Sequence, residues 1–227
     1  IIYYLSLIYN KSLVNNYNMI NMKYIDLTHK ITNEIKEYPG DPKTSISYFK
    51  KADNKDSCTL SNFKTGLHTG THIDAPFHYI ENEKSIDEID ISKFCSYASI
   101  HHADVSKNEE ITIDKITFPN KFEKIVIIIT GENNNFGSFE YFNENPYISN
   151  ELADLLIEKN IKGIVLDTCS PDKFGENIIH KKFLKNNIWI VENITNCSKL
   201  TKNKYESFFI PLKIKAEASP IRAFVKE

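Results

Sequence analysis

The segment from Lys124 to Thr130 reads KIVIIIT and is followed at once by Gly131. Its five central residues are β-branched, and such side chains favour a strand because they pack well on a pleated surface. A continuous apolar run without polar alternation is typical of a strand that is buried on both faces. The chain must therefore place other elements on both sides of this strand.

Strands and helices alternate along the rest of the chain. The clearest helix is predicted for Ser149–Lys159, where Ser149 can cap the first turn and three leucines share one face. A second helix is predicted for Ile178–Lys185. Further strands are predicted for Tyr24–Thr28, Ser45–Phe49, Cys58–Phe63, Gly163–Asp167, Ile188–Glu192, Ser207–Leu212 and Ile221–Val225. This order predicts a mixed α/β protein with more strands than helices.

The charge balance excludes some classes of partner. The 227 residues carry 28 basic and 30 acidic side chains, a formal net charge of −2. A nucleic-acid-binding protein would normally show a basic excess, so no nucleic acid partner is expected. No apolar run approaches the roughly 20 residues that span a bilayer, and no membrane partner is expected either. Hydrophobic residues make up 41% of the chain, which is enough for the core of one soluble domain.

The first residues stand apart from this pattern. The chain does not begin with methionine, and its two methionines are Met19 and Met22. We expect residues 1–21 to be an extension of doubtful structural role and residues 22–227 to form the domain. The alternative is an uncleaved segment that associates with a membrane.

The cysteine spacing indicates the redox compartment. The four cysteines lie far apart, with no C-x-x-C pair, whereas disulfide frameworks are dense in short secreted chains. We expect free thiols and a cytoplasmic location. The residues concerned are Cys58, Cys95, Cys169 and Cys197.

Three of the seven histidines lie within eleven residues, in the sequence HTGTHIDAPFH from His68 to His78. Gly70 and Pro76 make this segment a poor helix, and Thr69 stands where the H-E-x-x-H zinc pattern requires glutamate. The segment is therefore predicted to be extended.

In an extended chain, alternate residues point to opposite faces. The face suited to ligands holds His68, His72, Asp74 and His78. The face suited to packing holds Thr69, Thr71, Ile73, Ala75 and Phe77. The alternative is a hydrogen-bonded polar strand whose histidines bind nothing.

Distance adds a constraint to the ligand face. His72 and Asp74 would be about 6–7 Å apart along a strand and can share a metal. His68 would be about 13 Å from His72 in a fully extended chain, too far for ligand bonds of about 2 Å to one ion. We therefore expect the chain to bend at Gly70, where a positive φ is permitted.

The motif strongly resembles the H-x-G-T-H-x-D-x-P-x-H signature of the cyclase family, which includes bacterial kynurenine formamidases and isatin hydrolases. The similarity spans about Lys23 to Val225. It is carried by YPGDP at Tyr38–Pro42, IDEI at Ile86–Ile89, LDTCSPD at Leu166–Asp172, HKKFLKNNIWIVENI at His180–Ile194 and IPLKIKAEASPIRA at Ile210–Ala223.

The resemblance implies a fold and a site. The fold would be a mixed β-sheet or barrel-like core with flanking helices, in the swivelling β/β/α arrangement, and the protein would form homodimers or homotetramers. The two-metal centre would be held by His68, His72, Asp74, His180 and Glu192. His78 corresponds to the catalytic acid/base, and Tyr38 stands where the family has a substrate-facing tryptophan. A nitrogen and oxygen ligand set without thiolate suits Zn²⁺, with Mn²⁺ as the alternative.

The activity implied is hydrolysis of a C–N amide bond in a small molecule. Conversion of N-formylkynurenine to kynurenine and formate is the leading hypothesis, and a cyclic amide such as isatin is the alternative substrate. A metal-binding family member without catalysis is the hypothesis from another class.

The remaining polar residues are expected to have ordinary roles. His29, His101 and His102 are interpreted as surface or hydrogen-bonded histidines, Glu132 as solvated and Trp189 as core. For Asp167 and Asp172, loop hydrogen bonding is favoured over orientation of a histidine.

Overall fold

The structure is a computed structural model that describes residues 23–54, 56–117 and 122–227. The extension over residues 1–21, and the domain start at Met22, lie outside the described residues. The described strands are β1 (Tyr24–Asp26), β2 (Ser45–Lys50), β3 (Leu60–Lys64), β4 (His72–Asp74), β5 (Cys95–His102), β6 (Glu110–Ile111), β7 (Ile125–Ile129), β8 (Tyr147–Ile148), β9 (Gly163–Leu166), β10 (Trp189–Glu192), β11 (Lys204–Pro211) and β12 (Ala218–Lys226). The helices are α1 (Phe139–Asn143), α2 (Asn150–Glu158) and α3 (Ile178–Lys185).

The main sheet closes on itself. Its strand order is β1-β12-β11-β5-β7-β9-β10-β4, and β4 also pairs with β12, so seven strands form a ring. Strand β1 pairs with the last residues of β12, beyond those that pair with β4. Strands β5, β7, β9 and β10 are parallel neighbours, and the remaining pairs of the ring are antiparallel. The prediction of a mixed α/β fold with a barrel-like core is confirmed.

The buried run in β7 faces two separate cores. Ile125, Ile127 and Ile129 belong to the core cluster on one face, the inner face of the closed sheet. Val126 and Ile128 belong to the cluster on the other face, which contains side chains from α2 and α3. This alternation explains why the sequence of β7 contains no polar position.

Both long helices lie where the sequence placed them. α2 spans Asn150–Glu158, and the Ser149 side chain accepts a hydrogen bond from the Leu152 amide as its N-cap. α3 spans Ile178–Lys185, as predicted. None of the described helices is long and apolar enough to cross a bilayer.

Strand β5 was not predicted, although it pairs with both β7 and β11. Its sequence, CSYASIHH, contains serines and histidines that do not indicate a buried strand. In the structure Ser99 Oγ and His101 Nε2 lie 2.9 Å apart, so these buried polar side chains partner each other. Mutual hydrogen bonding removes the cost of burying them, which a hydrophobic pattern does not reveal.

Gly163 opens β9 at a point where the Trp189 ring fills the space of a side chain. A Cβ at this position would lie 2.3 Å from the indole carbons. We expect Gly163→Ala to lower the free energy of unfolding by about 1–3 kcal/mol, because the ring or the strand must move. Urea unfolding measures this effect. Gly66→Ala is the matched control, since its Cβ would meet no atom closer than 3.4 Å; equal stability of the two variants would contradict the packing described here.

Candidate metal centre

The centre begins where β4 pairs with β10. In this antiparallel register His72 lies opposite Glu192, and Asp74 lies opposite Ile190. Opposed residues have Cβ atoms about 4.5–5.5 Å apart, so the pairing brings His72 Nε2 to 3.3 Å from Glu192 Oε2. His72, Asp74 and Glu192 are all buried.

The bend predicted at Gly70 is present. Gly70 has φ +63°, and the turn returns His68 towards the strand so that its Nδ1 lies 3.0 Å from Asp74 Oδ1. The amide of Asn193 donates to the Gly70 carbonyl at 3.0 Å, which ties the turn to the end of β10. The bend thus brings His68 close to the other candidate ligands, which a fully extended chain would not allow.

The extended pattern ends earlier than the sequence predicted. Only His72–Asp74 is a strand, and Pro76–His78 forms a 3-10 helix. Ile73 and Ala75 pack in the inner core as expected, but Phe77 is 45% exposed, so its assignment to the packing face was wrong. Proline disfavours continuation of the strand and is well suited to the first turn of the following helix.

His180 enters the centre from α3. Its Nε2 lies 3.0 Å from Glu192 Oε1 and 3.6 Å from Asp74 Oδ2. On the other side of the ring, Nδ1 lies 2.6 Å from Asp172 Oδ2. The interpretation that favoured loop hydrogen bonding for Asp172 over orientation of a histidine was therefore wrong, since its carboxylate contacts the His180 ring. Asp167 does make the predicted loop bonds, to Thr130, Gly131 and Asn133.

The histidine tautomers direct lone pairs into the centre. His72 Nδ1 lies 2.9 Å from the Gly70 carbonyl, which can only accept, so this nitrogen carries the proton. Its Nε2 then presents a lone pair to Asp74 and Glu192. Among the described residues, His72 Nε2, both carboxylate oxygens of Asp74 and Oε1 of Glu192 are buried without a hydrogen-bond partner.

Such a set of converging acceptors is costly to bury unless a cation lies between them. Within the described ranges, two groups of side chains place their ligand atoms within 4.8 Å of one another: His72, Asp74 and Glu192, and His68, Asp74 and His78. Asp74 belongs to both groups. The donor chemistry fits divalent metal ions, and a carboxylate shared by two groups is suited to bridging two of them.

The electrostatics of the centre favour positive charge. Burial would raise the pKa of Asp74, but the adjacent His68 holds it well below its usual value. Burial would likewise lower the pKa of His180, yet the adjacent carboxylates of Asp172, Asp74 and Glu192 raise it well above normal. Asp74 also raises the pKa of His68 to about 10, against the effect of burial. The cluster therefore stabilises cations at its centre.

His78 lies beside these groups. Its ring centroid is 4.3 Å from that of His68 and 5.9 Å from that of His180. Burial lowers the pKa of His78 to about 4, so the ring is neutral near pH 7 and can accept a proton. The geometry permits two roles for His78: it could ligate a metal with His68 and Asp74, or it could act on a substrate. The His78→Ala variant distinguishes these roles.

A cavity of about 220 Å³ opens over the centre. Its aromatic wall includes Tyr38, for which burial raises the pKa to about 12, so the phenol stays protonated. Sequence reasoning did not identify the other aromatic residues of this wall, because only the folded chain brings them together. They are Tyr79, Phe136 and Phe142.

The remaining polar residues lie mainly as expected. His102 is exposed and His101 is buried against Ser99. His29 differs from the expectation of a surface or hydrogen-bonded ring: it stacks on Phe136 with ring centroids 3.8 Å apart, and its Nε2 is buried without a hydrogen-bond partner among the described residues. Trp189 is in the core, and the four cysteines are free thiols, with Cys169 on the cavity wall.

Comparisons with known proteins agree with this fold. A structure described as a potential metal-dependent hydrolase with cyclase activity superposes with a TM-score of 0.75 at 23% identity, covering 90% of this chain and 98% of that chain. Isatin hydrolase A from Labrenzia aggregata, bound to benzyl benzoate, superposes with a TM-score of 0.76 at 20% identity, covering 96% and 98%. The fold is therefore that of the cyclase-type hydrolases.

Sequence comparison then gives the family. The family profile described as "Putative cyclase" matches residues 25–173, and the chain belongs to this cyclase family. Kynurenine formamidase from Bacillus mycoides (strain KBAB4) is 29% identical over 212 residues, which cover 92% of this chain and 99% of the relative. Together these matches support a hydrolase of the cyclase family.

Proposed function

We propose that this chain is a binuclear metal-dependent amidohydrolase that converts N-formylkynurenine to kynurenine and formate. The observation that carries the proposal is the pair of metal-ligating groups that share buried Asp74 at the base of the cavity. The near full-length similarity to a kynurenine formamidase supports the choice of substrate. Zn²⁺ is the proposed metal, with Mn²⁺ as the alternative.

Each side of the centre has its own ligands. His72, His180 and Glu192 would hold one ion, because their ligand atoms meet over the end of β10. His68 would serve the other, and Asp74 would bridge the two. Divalent ions bound there would lower the pKa of a water towards 7 and would polarise an amide carbonyl.

His78 would move the proton that amide hydrolysis requires. Its neutral ring nitrogen would accept the proton of the attacking water and then donate it to the departing nitrogen of the substrate. Without this donation an anilide nitrogen would have to leave as an anion. The position of His78 beside His68, at the edge of the cluster, supports this assignment.

The cavity wall favours a planar substrate. Tyr38 packs edge-on against Phe142 with ring centroids 5.9 Å apart, and Tyr79 lies 5.1 Å from the His180 ring. Aromatic walls of this kind bind an aryl ring by offset or edge-to-face contacts. Tyr38 would therefore hold the aryl group while the ions and His78 act on the amide.

We expect the Zn²⁺-loaded protein to hydrolyse N-formylkynurenine with a higher kcat/KM than isatin, because the open chain formamide places its carbonyl at the centre without opening a ring. Release of kynurenine is followed by absorbance, and loss of isatin is followed in parallel. The control is Asp74→Asn, prepared identically, which removes the bridging carboxylate charge and should be inactive. Preferred turnover of isatin would overturn the substrate assignment, and bound metal without turnover of either would identify a binding protein.

A further inference from the structure

The side chain of Asp172 is a buried carboxylate next to the candidate metal centre. It contacts the centre through the ring of His180. It is 1% exposed and accepts three hydrogen bonds. Two come from backbone amides in the first turn of α3, those of Ile179 at 2.6 Å and His180 at 2.9 Å. The third partner is His180 Nδ1, at 2.6 Å from Oδ2.

The backbone bonds fix where the helix begins. Asn177, the N-cap residue of α3, makes no side-chain cap hydrogen bond. The carboxylate of Asp172 supplies the missing acceptor to the first turn, where the helix dipole also favours negative charge. Asp172 thus sets the position of the helix that carries His180.

The ring bond fixes which nitrogen faces the centre. An ionised carboxylate can only accept, so His180 Nδ1 must carry the proton and Nε2 is left to bind. Nε2 is the atom that faces Glu192 Oε1 at 3.0 Å and Asp74 Oδ2 at 3.6 Å. One carboxylate therefore controls both the location of the histidine backbone and the direction of its free lone pair.

We infer that Asp172 is a positioning residue that holds His180 in the Nδ1–H tautomer with Nε2 directed at the metal. The inference rests on the proposed function, in which His180 is a ligand. The Asn side chain of Asp172→Asn keeps the size of the original but offers an amide donor in place of one carboxylate oxygen. If this amide faces the ring, it stabilises the opposite tautomer, with a proton on Nε2 where the metal would bind.

The chain contains a matched control in Asp167. This carboxylate is also buried and accepts from Thr130, Gly131 and Asn133, but none of the histidines in the described part of the chain is among its hydrogen-bond partners. Asp167→Asn thus removes the same charge from a similar site without touching the ring of His180. A structural effect of losing a buried carboxylate should appear in both variants.

The test measures Zn²⁺ affinity by competition with a chelator. We expect Asp172→Asn to bind Zn²⁺ about 10–100-fold more weakly than the unmodified chain, the usual effect of losing the outer partner of a ligating histidine. Asp167→Asn should leave the affinity unchanged. Equal weakening in both variants, or no weakening in Asp172→Asn, would overturn the inference, whereas failure of the unmodified chain to bind Zn²⁺ would instead overturn the proposed function.

A second measurement does not depend on the folding of any variant. In the Zn²⁺-loaded chain with ¹⁵N-labelled histidine, the His180 ring should show a downfield, slowly exchanging proton on Nδ1 and a metal-bound Nε2. A His180 ring that binds Zn²⁺ through Nδ1 would overturn the inference directly.

A conservative variant adds a third test. Asp172→Glu, which retains the carboxylate, should restore part of the affinity lost in Asp172→Asn.

Discussion

The His72→Ala variant is expected to lose bound metal and turnover together. His72 Nε2 lies within 3.5 Å of both Asp74 and Glu192, so the ring is a central donor of its group. Structural zinc sites bind with about 10–16 kcal/mol, so one ligand of four contributes roughly 3 kcal/mol, or about 100-fold in affinity. Metal content is measured by mass spectrometry after gel filtration, and turnover is measured on the same sample.

The control for this variant is His101→Ala. It removes another buried histidine of the barrel, one whose ring contacts Ser99 and not the carboxylates of the centre. We expect it to keep its metal, even if it unfolds at lower urea concentration. Retention of full metal content by His72→Ala would show that His72 is not a ligand.

For His78→Ala we expect most of the metal to be retained while kcat falls by roughly 10²–10⁴-fold, the usual loss when general acid–base catalysis is removed. KM should change less than kcat, because the proton transfer takes place in the transition state. Turnover is measured in excess Zn²⁺ or Mn²⁺, so that a weakened site is still filled.

The neighbouring Phe77 provides the control, since its ring is 45% exposed and is not on the cavity wall. Phe77→Ala changes the same 3-10 helix without removing a titratable group, and should leave metal content and kcat nearly unchanged. If His78→Ala loses metal as completely as His72→Ala, then His78 is a ligand, as its grouping with His68 and Asp74 permits.

The structural features that were predicted correctly from the sequence are those that depend on local geometry. The alternation around His72 and Asp74, the bend at Gly70 and the cap at Ser149 each follow from neighbouring residues and are present in the structure. The sequence did not predict that the strand ends before Pro76, because the alternation of faces was continued through a proline, which disfavours a strand.

What was missed depends on contacts between distant segments. Strand β5 is polar in sequence, and its place in the sheet depends on pairing with β7 and β11, which are distant in the chain. The aromatic wall over the centre and the second role of Asp172 require the positions of several loops and of α3. Composition and periodicity carry no information on such contacts, because they join residues that are far apart in the sequence.

The shortest strand of the barrel also completes its circumference. β4 has three residues, yet it pairs with β10 on one side and with β12 on the other, and two of its residues belong to the groups that could hold a metal ion. We therefore expect assembly of the centre and closure of the barrel to be one event in folding, and a late one, because the strands it joins are far apart in sequence. Bound metal would hold the barrel closed at β4, so that opening the barrel requires release of the ions. The amide of Ile73 should accordingly exchange with solvent far more slowly in the metal-loaded protein than in the metal-free one.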